Sequence, residues 1–180
     1  MSAGVITVSE ALQHARELLT GIALDFHQED HRLVIQVEPD DLPDAALRLH
    51  DDAKLSCKYL SHVAAVDNIE YMETIYLLRS MYHPVMVEIK VRLDRKLPVV
   101  PTVTHIWTGA NWHEREAYDM FGVTFEGHPD LRRLLNRDDL DVFPCRKDAR
   151  PHRKARPEWK WEYLDAPRRL PGEPPRRERS

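Results

Sequence analysis

The chain has 180 residues, of which 42% are hydrophobic and 31% are charged, enough apolar content to bury the core of one domain. No window approaches the roughly 18 consecutive apolar residues of a membrane span, and the first residues lack the basic segment of a secretory signal. We therefore expect a soluble protein of cytosolic origin. The two cysteines, Cys57 and Cys145, are far apart and neither belongs to a CxxC pair. This spacing argues against a disulfide framework, an iron–sulfur cluster and a structural zinc site.

The formal net charge of −4 combines two parts of opposite sign. Residues 1–143 contain 14 Lys and Arg against 24 Asp and Glu, a net of −10, whereas residues 144–180 contain 12 against 6, a net of +6. The second part also holds seven of the 13 prolines, which disfavour helix and sheet. We expect a single folded domain at 1–143, with a motif region at 98–143, followed by an extended tail rich in Pro and Arg at 144–180.

The first elements are predicted from helix caps and from the spacing of apolar residues. Ser9 is predicted to cap a helix that runs to about Leu19, because apolar residues recur on one face. Residues 31–37 alternate like a strand. A second helix is predicted from Leu42 to about Leu49, with Pro43 in its first turn, where the missing N–H does no harm.

Three strand-like runs follow between residues 54 and 93. The last of them, Val85–Leu93, alternates apolar and polar side chains, which predicts a half-buried strand with one solvated face. Strands so close in sequence form antiparallel hairpins or a meander. The predicted fold is α+β: an N-terminal antiparallel or mixed sheet with helices on one face, followed by a helical motif region and an extended basic C-terminal tail. Residues 94–101 are predicted to be a proline-marked linker.

The densest charge pairing of the chain lies in residues 102–135. A helix is predicted from Ala110 to Phe121, ended by Gly122, and residues 123–125 alternate like a short strand. After the turn at 127–129, Asp130 is predicted to cap a short helix over 131–135, with leucines inward and arginines outward. The outward side of this helix has the character of a docking surface.

Two runs in this region, EREAYDMFG at 114–122 and EGHPDLRRLL at 126–135, resemble the signature of the C-type subunit family of respiratory NADH:quinone oxidoreductase. The run PCRKD at 144–148 resembles the downstream Pro-Leu-Arg-Lys-Asp element of that family, with Cys145 where Leu is usual. The resemblance covers residues 98–148.

The resemblance implies a peripheral-arm subunit of respiratory complex I (NDH-1), a proton-translocating enzyme complex, without a redox centre or active site of its own. It implies packing against the large quinone-site subunit and contact with the iron–sulfur subunits. Membrane association is then indirect, at the cytoplasmic face. Iron–sulfur clusters, FMN, NADH and quinone are expected on partner subunits, with no cofactor or metal on this chain.

Two other functions are compatible with parts of the sequence. The equivalent subunit of a membrane-bound hydrogenase, or of a complex that takes electrons from ferredoxin or a deazaflavin carrier, is an alternative because the donor site lies on other subunits. A nucleic-acid-binding module is suggested by the basic tail, in which Trp159 and Trp161 alternate with charges. The acidic body argues against it, because a net of −10 repels a phosphate backbone.

The residues also argue against several kinds of active site. The run HEREA at 113–117 begins like the zinc-protease pattern HExxH, but Ala117 stands where the second histidine is needed. The chain has no glycine-rich phosphate loop, so we do not expect it to bind NADH. Ser61, His62 and Asp67 lie along a predicted strand, without the sharp turn that exposes a nucleophilic serine.

His128 lies between Glu126 and Asp130, where an imidazole titrates near neutral pH. A rigid turn, with the imidazole hydrogen-bonded to the backbone or to a partner protein, is favoured over a proton-transfer role. The helix at 110–121 carries too many charges for a core helix. Because these charges alternate with aromatic residues, we favour a subunit interface over a merely solvated face.

We predict that Arg146 and Lys147 anchor the tail nearest to the body, that Asp148 pairs locally, and that the tail extends along a neighbouring protein of the complex. The predicted subunit-interface residues are Glu114, Arg115, Glu116, Asp119, Phe121, Gly122, His128, Pro129, Arg132, Arg133, Arg146, Lys147, Asp148, Trp159 and Trp161.

Overall fold

The computed structural model of the chain describes residues 6–149, and within them an α+β fold. The elements in chain order are α1 (Val8–Leu18), β1 (Ala23–Glu29), β2 (Arg32–Val37), α2 (Leu42–Asp51), β3 (Tyr59–Asp67), β4 (Tyr71–Arg79), β5 (Met86–Asp94), β6 (Val99–Pro101), α3 (Ala110–Phe121) and β7 (Thr124–Glu126). The predicted interface residues Trp159 and Trp161 lie outside the described part of the chain.

The larger sheet has the strand order β1-β2-β5-β4-β3. Strands β3, β4 and β5 form an antiparallel meander, as predicted, whereas β2 and β5 run parallel, so the sheet is mixed. Strand β1 was not predicted, because most of its side chains are partly or fully exposed and do not alternate. Pairing with β2 in an antiparallel hairpin defines this strand.

Helices α1 and α2 contribute to one core with the inward side chains of the sheet. The alternation predicted for β5 is confirmed, since Val87, Ile89 and Val91 are all buried. On the opposite face, Glu88 is also buried. Its carboxylate lies 2.9 Å from Arg32 and 3.3 Å from Lys90, and these two cations offset the cost of burying its charge. One ion pair to the neighbouring strand β2 and one within β5 therefore cover part of this face.

The first helix begins earlier than predicted. Thr7, rather than Ser9, caps α1: its Oγ1 accepts from the N–H of Glu10, and the Glu10 carboxylate accepts from the N–H of Thr7 at 2.7 Å. This reciprocal pair is a capping box, which satisfies two backbone donors at once. Helix α2 begins at Leu42, as predicted, and extends two residues beyond Leu49.

The predicted linker at 94–101 contains strand β6, which pairs in parallel with β7 to form a second, two-stranded sheet. The helix predicted at 131–135 does not form. The N–H groups of Leu134 and Leu135 donate to the carboxylate of Asp119, so they are not available for a helical ladder. Among residues 6–149, no helix has the length and apolar character needed to cross a bilayer.

The folded body extends past the boundary predicted at residue 143. The N–H of Cys145 donates to the carbonyl of Met120 at 3.0 Å, and the N–H of Lys147 donates to the carboxylate of Asp67 at 2.9 Å. Residues 144–149 are therefore part of the body, and truncation after Phe143 removes contacts that hold it together. The remainder of the predicted tail lies outside the described residues.

A comparison of Gly122, at the end of α3, with Gly21 separates the energetic cost of a steric clash from the cost of backbone strain. Gly122 has φ of 76°, and an added Cβ would lie 2.6 Å from the Phe143 ring; Gly21 has φ of 83° with open space around it. We expect Gly21→Ala to lower the free energy of unfolding by about 1–2 kcal/mol through left-handed strain alone. Gly122→Ala should lower it further, because Phe143 must also move. Urea unfolding of both variants measures the difference, and equal losses would show that Phe143 is displaced without cost.

Candidate functional site

Helix α3 carries three charged side chains that point into the protein. Glu114 and Asp119 are fully buried, and Arg115 is only 7% exposed. The expectation that this helix has too many charges for the core is therefore wrong. Burying a charge is tolerated when polar partners surround it, and each of the three has such partners in the segments that precede or follow α3.

The carboxylate of Asp119 holds the segment that follows β7. Its Oδ2 accepts from the backbone N–H groups of Leu134, Leu135 and Asn136 at 3.1, 2.7 and 2.8 Å. Its Oδ1 accepts from Arg133 at 2.8 Å and from the side chain of Asn136 at 3.1 Å. Burial by itself raises the pKa of Asp119, but these hydrogen bonds outweigh it and hold the pKa well below the ordinary range. The group therefore stays ionised and acts as a fixed anchor for three consecutive backbone donors.

Arg133 points inward, against the prediction that it lies on the outer side of a helix. Besides its ion pair with Asp119, it donates to the carbonyl of Leu140 at 2.7 Å, and its guanidinium lies 5.3 Å from the centre of the Phe143 ring. Arg133 thereby joins α3 to residues 140–143. The adjacent Arg132 is the outward residue, with 71% of its side chain exposed.

Arg115 supports the same segment from one turn earlier on α3. Its guanidinium donates to the carbonyls of Arg132 and Arg133, both at 3.3 Å. The guanidinium also lies 5.2 Å from the centre of the Trp112 ring, a cation–π contact. Trp112 is 61% exposed, so a buried arginine holds a tryptophan at the surface.

Glu114 joins α3 to the residues that follow β6. The hydroxyl of Thr102 donates to its Oε2 at 2.5 Å, and the N–H of Val103 donates to its Oε1 at 2.9 Å. Burial raises the pKa of Glu114 to about 7, because these two hydrogen bonds offset only part of the desolvation. The two buried acids of α3 thus behave in opposite ways: Asp119 stays charged, and Glu114 titrates near neutral pH.

His128 forms the turn that the sequence predicts. Its side chain is fully buried, its Nδ1 accepts from the N–H of Asp130 at 3.0 Å, and its Nε2 donates to the carbonyl of Asn111 at 3.3 Å. The prediction of a hydrogen bond to the backbone is confirmed. Burial lowers the pKa of His128, which favours the neutral ring, and its Nε2 lies 4.0 Å from Glu114.

A second buried carboxylate cluster was not predicted. Asp67, at the end of β3, accepts from Arg95 at 2.9 and 3.0 Å and from the N–H of Lys147 at 2.9 Å. Hydrogen bonding from Arg95 holds the pKa of Asp67 far below its ordinary value. Asp148 lies 3.4 Å from Arg95 and 3.7 Å from Arg146, which confirms its local pairing. Arg146 donates to the carbonyl of Arg95, so this run binds its own body.

The surface of the motif region is formed by a different set of residues than predicted. Leu135, expected to point inward, is 65% exposed, comparable to Trp112. No alternation or spacing in the sequence signals this, because Asp119 pulls the backbone of residues 134–136 inward and leaves the leucine outside. Of the predicted interface residues, Pro129, Arg132, Lys147 and Asp148 are exposed, and Glu116 and Phe121 are half-buried.

Both cysteines are free thiols. Cys57 is buried, and burial raises the pKa of its thiol to about 12, which makes it an inert core residue. Cys145 is exposed.

The sequence of the chain matches those of known proteins. The sequence profile of a family described as the 30 kDa subunit of respiratory-chain NADH dehydrogenase matches residues 35–155. The C-type subunit of NADH-quinone oxidoreductase from Acidithiobacillus ferrooxidans is 34% identical over 145 residues, which cover 76% of this chain and 72% of that protein. The corresponding protein of Chlorobium phaeobacteroides is 42% identical over 117 residues, covering 62% and 69%.

Two solved structures share the fold. A chain of the membrane-bound sulfane sulfur reductase, an archaeal respiratory membrane complex, superposes with a TM-score of 0.66 at 26% identity, covering 78% of this chain and 84% of that one. A trypsin-resistant fragment of Nqo5 superposes with a TM-score of 0.58 at 24% identity, covering 70% of this chain and all of the fragment. The second likeness concerns the fold alone.

The raised pKa of Glu114 predicts a pH dependence of stability. Since the folded-state pKa of about 7 exceeds the ordinary value of 4.5, the stability that this group contributes is complete below that ordinary value and is lost as the pH rises through about 7. In Glu114→Gln, the amide accepts from Val103 and donates to Thr102, so this dependence disappears. Urea unfolding from about pH 5 to about pH 8 should show wild type losing stability relative to the variant. Glu116→Gln is the control and should follow wild type; parallel curves for all three proteins would contradict the prediction.

The anchoring role of Asp119 predicts a large loss in Asp119→Asn. The amide offers one acceptor oxygen, places an NH2 group against donors and leaves Arg133 buried without its counter-charge. We expect the free energy of unfolding at neutral pH to fall by about 3–5 kcal/mol. Asp130→Asn, at an exposed ion pair, should cost at most about 1 kcal/mol. Because the pKa of Asp119 is lowered, wild type should lose this advantage as the pH falls below 3.8; a loss in Asp119→Asn no greater than in Asp130→Asn would refute the anchor.

Proposed function

Since the chain belongs to the family of the 30 kDa subunit of respiratory-chain NADH dehydrogenase, we propose that it is a structural component of the peripheral arm of such a complex. In this proposal it packs against the large quinone-site subunit and is needed for assembly of the electron-transfer path to quinone. NADH, FMN, iron–sulfur clusters and quinone bind to partner subunits, and the chain reaches the cytoplasmic face of the membrane only through them.

The observation that carries this proposal is how the motif region uses its charges. The buried groups Glu114, Arg115, Asp119 and Arg133 bind backbone and side chains of this same chain. They therefore shape the surface rather than contact a partner. A polar network of this kind, with its groups satisfied, rigidifies the segments that it joins.

The surface that this network holds in place has the composition of a subunit interface. Trp112, on α3, and Leu135, on the segment that Asp119 holds, are exposed apolar side chains, and Pro129 and Arg132 are exposed as well. Tryptophan and arginine are among the residues most enriched at interface hot spots, and rigid side chains lose little entropy on binding. We propose that Trp112 and Leu135 are the main apolar contacts, with Glu116, Arg132 and Lys147 as further polar contacts.

A second candidate is the equivalent subunit of a related membrane complex with another electron donor. The observation that supports this second possibility is that a chain of the archaeal sulfane sulfur reductase has the same fold. The electron donor distinguishes the two possibilities. The complex that co-purifies with this chain oxidises NADH in the first case and does not oxidise it in the second.

The interface predicts that Trp112→Ala impairs assembly while leaving the fold intact. Loss of the contact with Arg115 should lower the free energy of unfolding by only about 0.5–1 kcal/mol. Loss of a hot-spot tryptophan should weaken association by about 2 kcal/mol or more, roughly 30-fold. Two measurements test this prediction: the amount of chain that co-purifies with its partners from solubilised membranes, and the quinone reductase activity of those membranes. Both should fall in Trp112→Ala.

Leu97→Ala provides a matched control, because Leu97 is 72% exposed but is not part of the docking surface proposed around Trp112 and Leu135. It should assemble and support activity like wild type. If Trp112→Ala and Leu97→Ala assembled equally well, Trp112 would not be an interface residue, and the proposed docking surface would be wrong.

A further inference from the structure

A patch of aromatic and basic side chains lies at one end of the five-stranded sheet. We call it the basic-aromatic patch; it consists of Lys58, Tyr59, Arg79, Met81 and Tyr82. Tyr59 and Arg79 are direct cross-strand partners on β3 and β4. The N–H of Met81 donates to the carbonyl of Ser56 at 3.1 Å, which holds the β4–β5 loop beside residue 58. Met81 and Tyr82 are 60% and 74% exposed.

The charge of this patch is opposite to that of the body around it. Residues 1–143 carry a net charge of −10. Lys58 and Arg79 are exposed, and neither forms an ion pair with any group in residues 6–149. The nearby Asp52 forms no ion pair with either of them; its carboxylate accepts from the N–H groups of Lys54 and Leu55 and contacts His14.

A cavity of about 290 Å³ adjoins the patch, lined by residues 58–60 and 106–109. Lys58 is the charged residue in its lining, and no carboxylate of the described residues takes part. Trp107 lines the cavity, is only 6% exposed, and its indole N–H has no acceptor within residues 6–149. Helix α3 begins at the same place without a side-chain cap and with no acid in its first turn. The cation and the positive end of the helix dipole both favour an anionic group.

The shape of the site favours a polypeptide over a lipid headgroup. β3 is the outermost strand of the sheet, and three consecutive residues, 58–60, line the cavity. Both sides of a strand's pleat and its backbone edge are therefore presented together, which suits an extended segment lying alongside. The exposed rings of Tyr59 and Tyr82 supply apolar contact area beside the charges.

We propose that the basic-aromatic patch and its cavity bind an acidic, extended segment of a partner protein. One carboxylate of the segment enters the cavity beside Lys58, near the start of α3, and a second pairs with Arg79, while apolar side chains pack on Tyr59, Met81 and Tyr82. This surface shares no residue with the one built on Trp112 and Leu135, so the inference does not depend on the docking proposed for those two residues.

The test uses the full chain, labelled with ¹⁵N, and a synthetic probe peptide that alternates Glu or Asp with Phe and Leu. Its control peptide has Gln and Asn in place of the acids. We expect the acidic peptide, and not its control, to shift amide resonances of residues 58–60, 79–82 and 106–110. Lys58→Glu/Arg79→Glu should weaken binding at least tenfold. Arg92→Glu/Lys96→Glu makes the same change in net charge at exposed residues on β5 and in the bend that follows it, and should bind like wild type.

Each other outcome overturns the proposal. Equal weakening in both double variants would show that net charge alone attracts the peptide. Binding of phosphatidylserine vesicles, without a localised response to the acidic peptide, would assign the patch to a membrane surface.

Trp112→Ala separates this inference from the proposed function, because that variant should lose assembly and still bind the acidic peptide. Carbodiimide cross-linking of the complex from membranes should couple Lys58, and not Lys96, to a carboxylate of another chain.

Discussion

One carboxylate determines how the motif region of this protein is arranged. Asp119 accepts from three consecutive backbone N–H groups and from two side chains, so the segment after β7 cannot continue as a helix and lies along α3 instead. The charge of Asp119 is stable because its hydrogen bonds outweigh the cost of burial. Arg133 extends the same anchor to residues 140–143, and Gly122 permits Phe143 to approach the end of the helix. Exposure of Leu135 is a direct consequence, and Arg115 holds the backbone of Arg132 beside this anchor.

Two further buried acids attach this region to the rest of the protein. Glu114 joins α3 to the residues after β6, and Asp67, at the end of the large sheet, binds Arg95 and the backbone of Lys147. The three carboxylates have different electrostatic roles. Asp119 and Asp67 remain ionised through strong donors, whereas Glu114, with two donors and greater desolvation, is poised near neutral pH. The chain thus uses its buried charges to fix its own loops, and the docking surface proposed for the motif region consists mainly of exposed aromatic, leucine and arginine side chains.

The local features of the sequence were sufficient to predict several elements. The apolar alternation of β5, the proline at the start of α2, and the glycine at the end of α3 each depend on residues close in sequence. Where a local signal had a stronger competitor nearby, the prediction erred, as at Thr7, which forms a capping box that Ser9 does not form. The edge strand β1 was missed because its pattern is weak and its definition comes from pairing with β2.

Residue order and the periodicity within single elements were enough to establish the family, the α+β class and the position of the motif region. Which charges are buried depended instead on the folded arrangement of the chain. Glu114, Asp119 and Asp67 have partners 11 to 80 residues away, and no spacing rule relates a carboxylate to donors that distant. The same contacts turned Arg133 inward and Leu135 outward, since the hydrogen bonds of a buried charge outweigh the local preference of five residues for a helix.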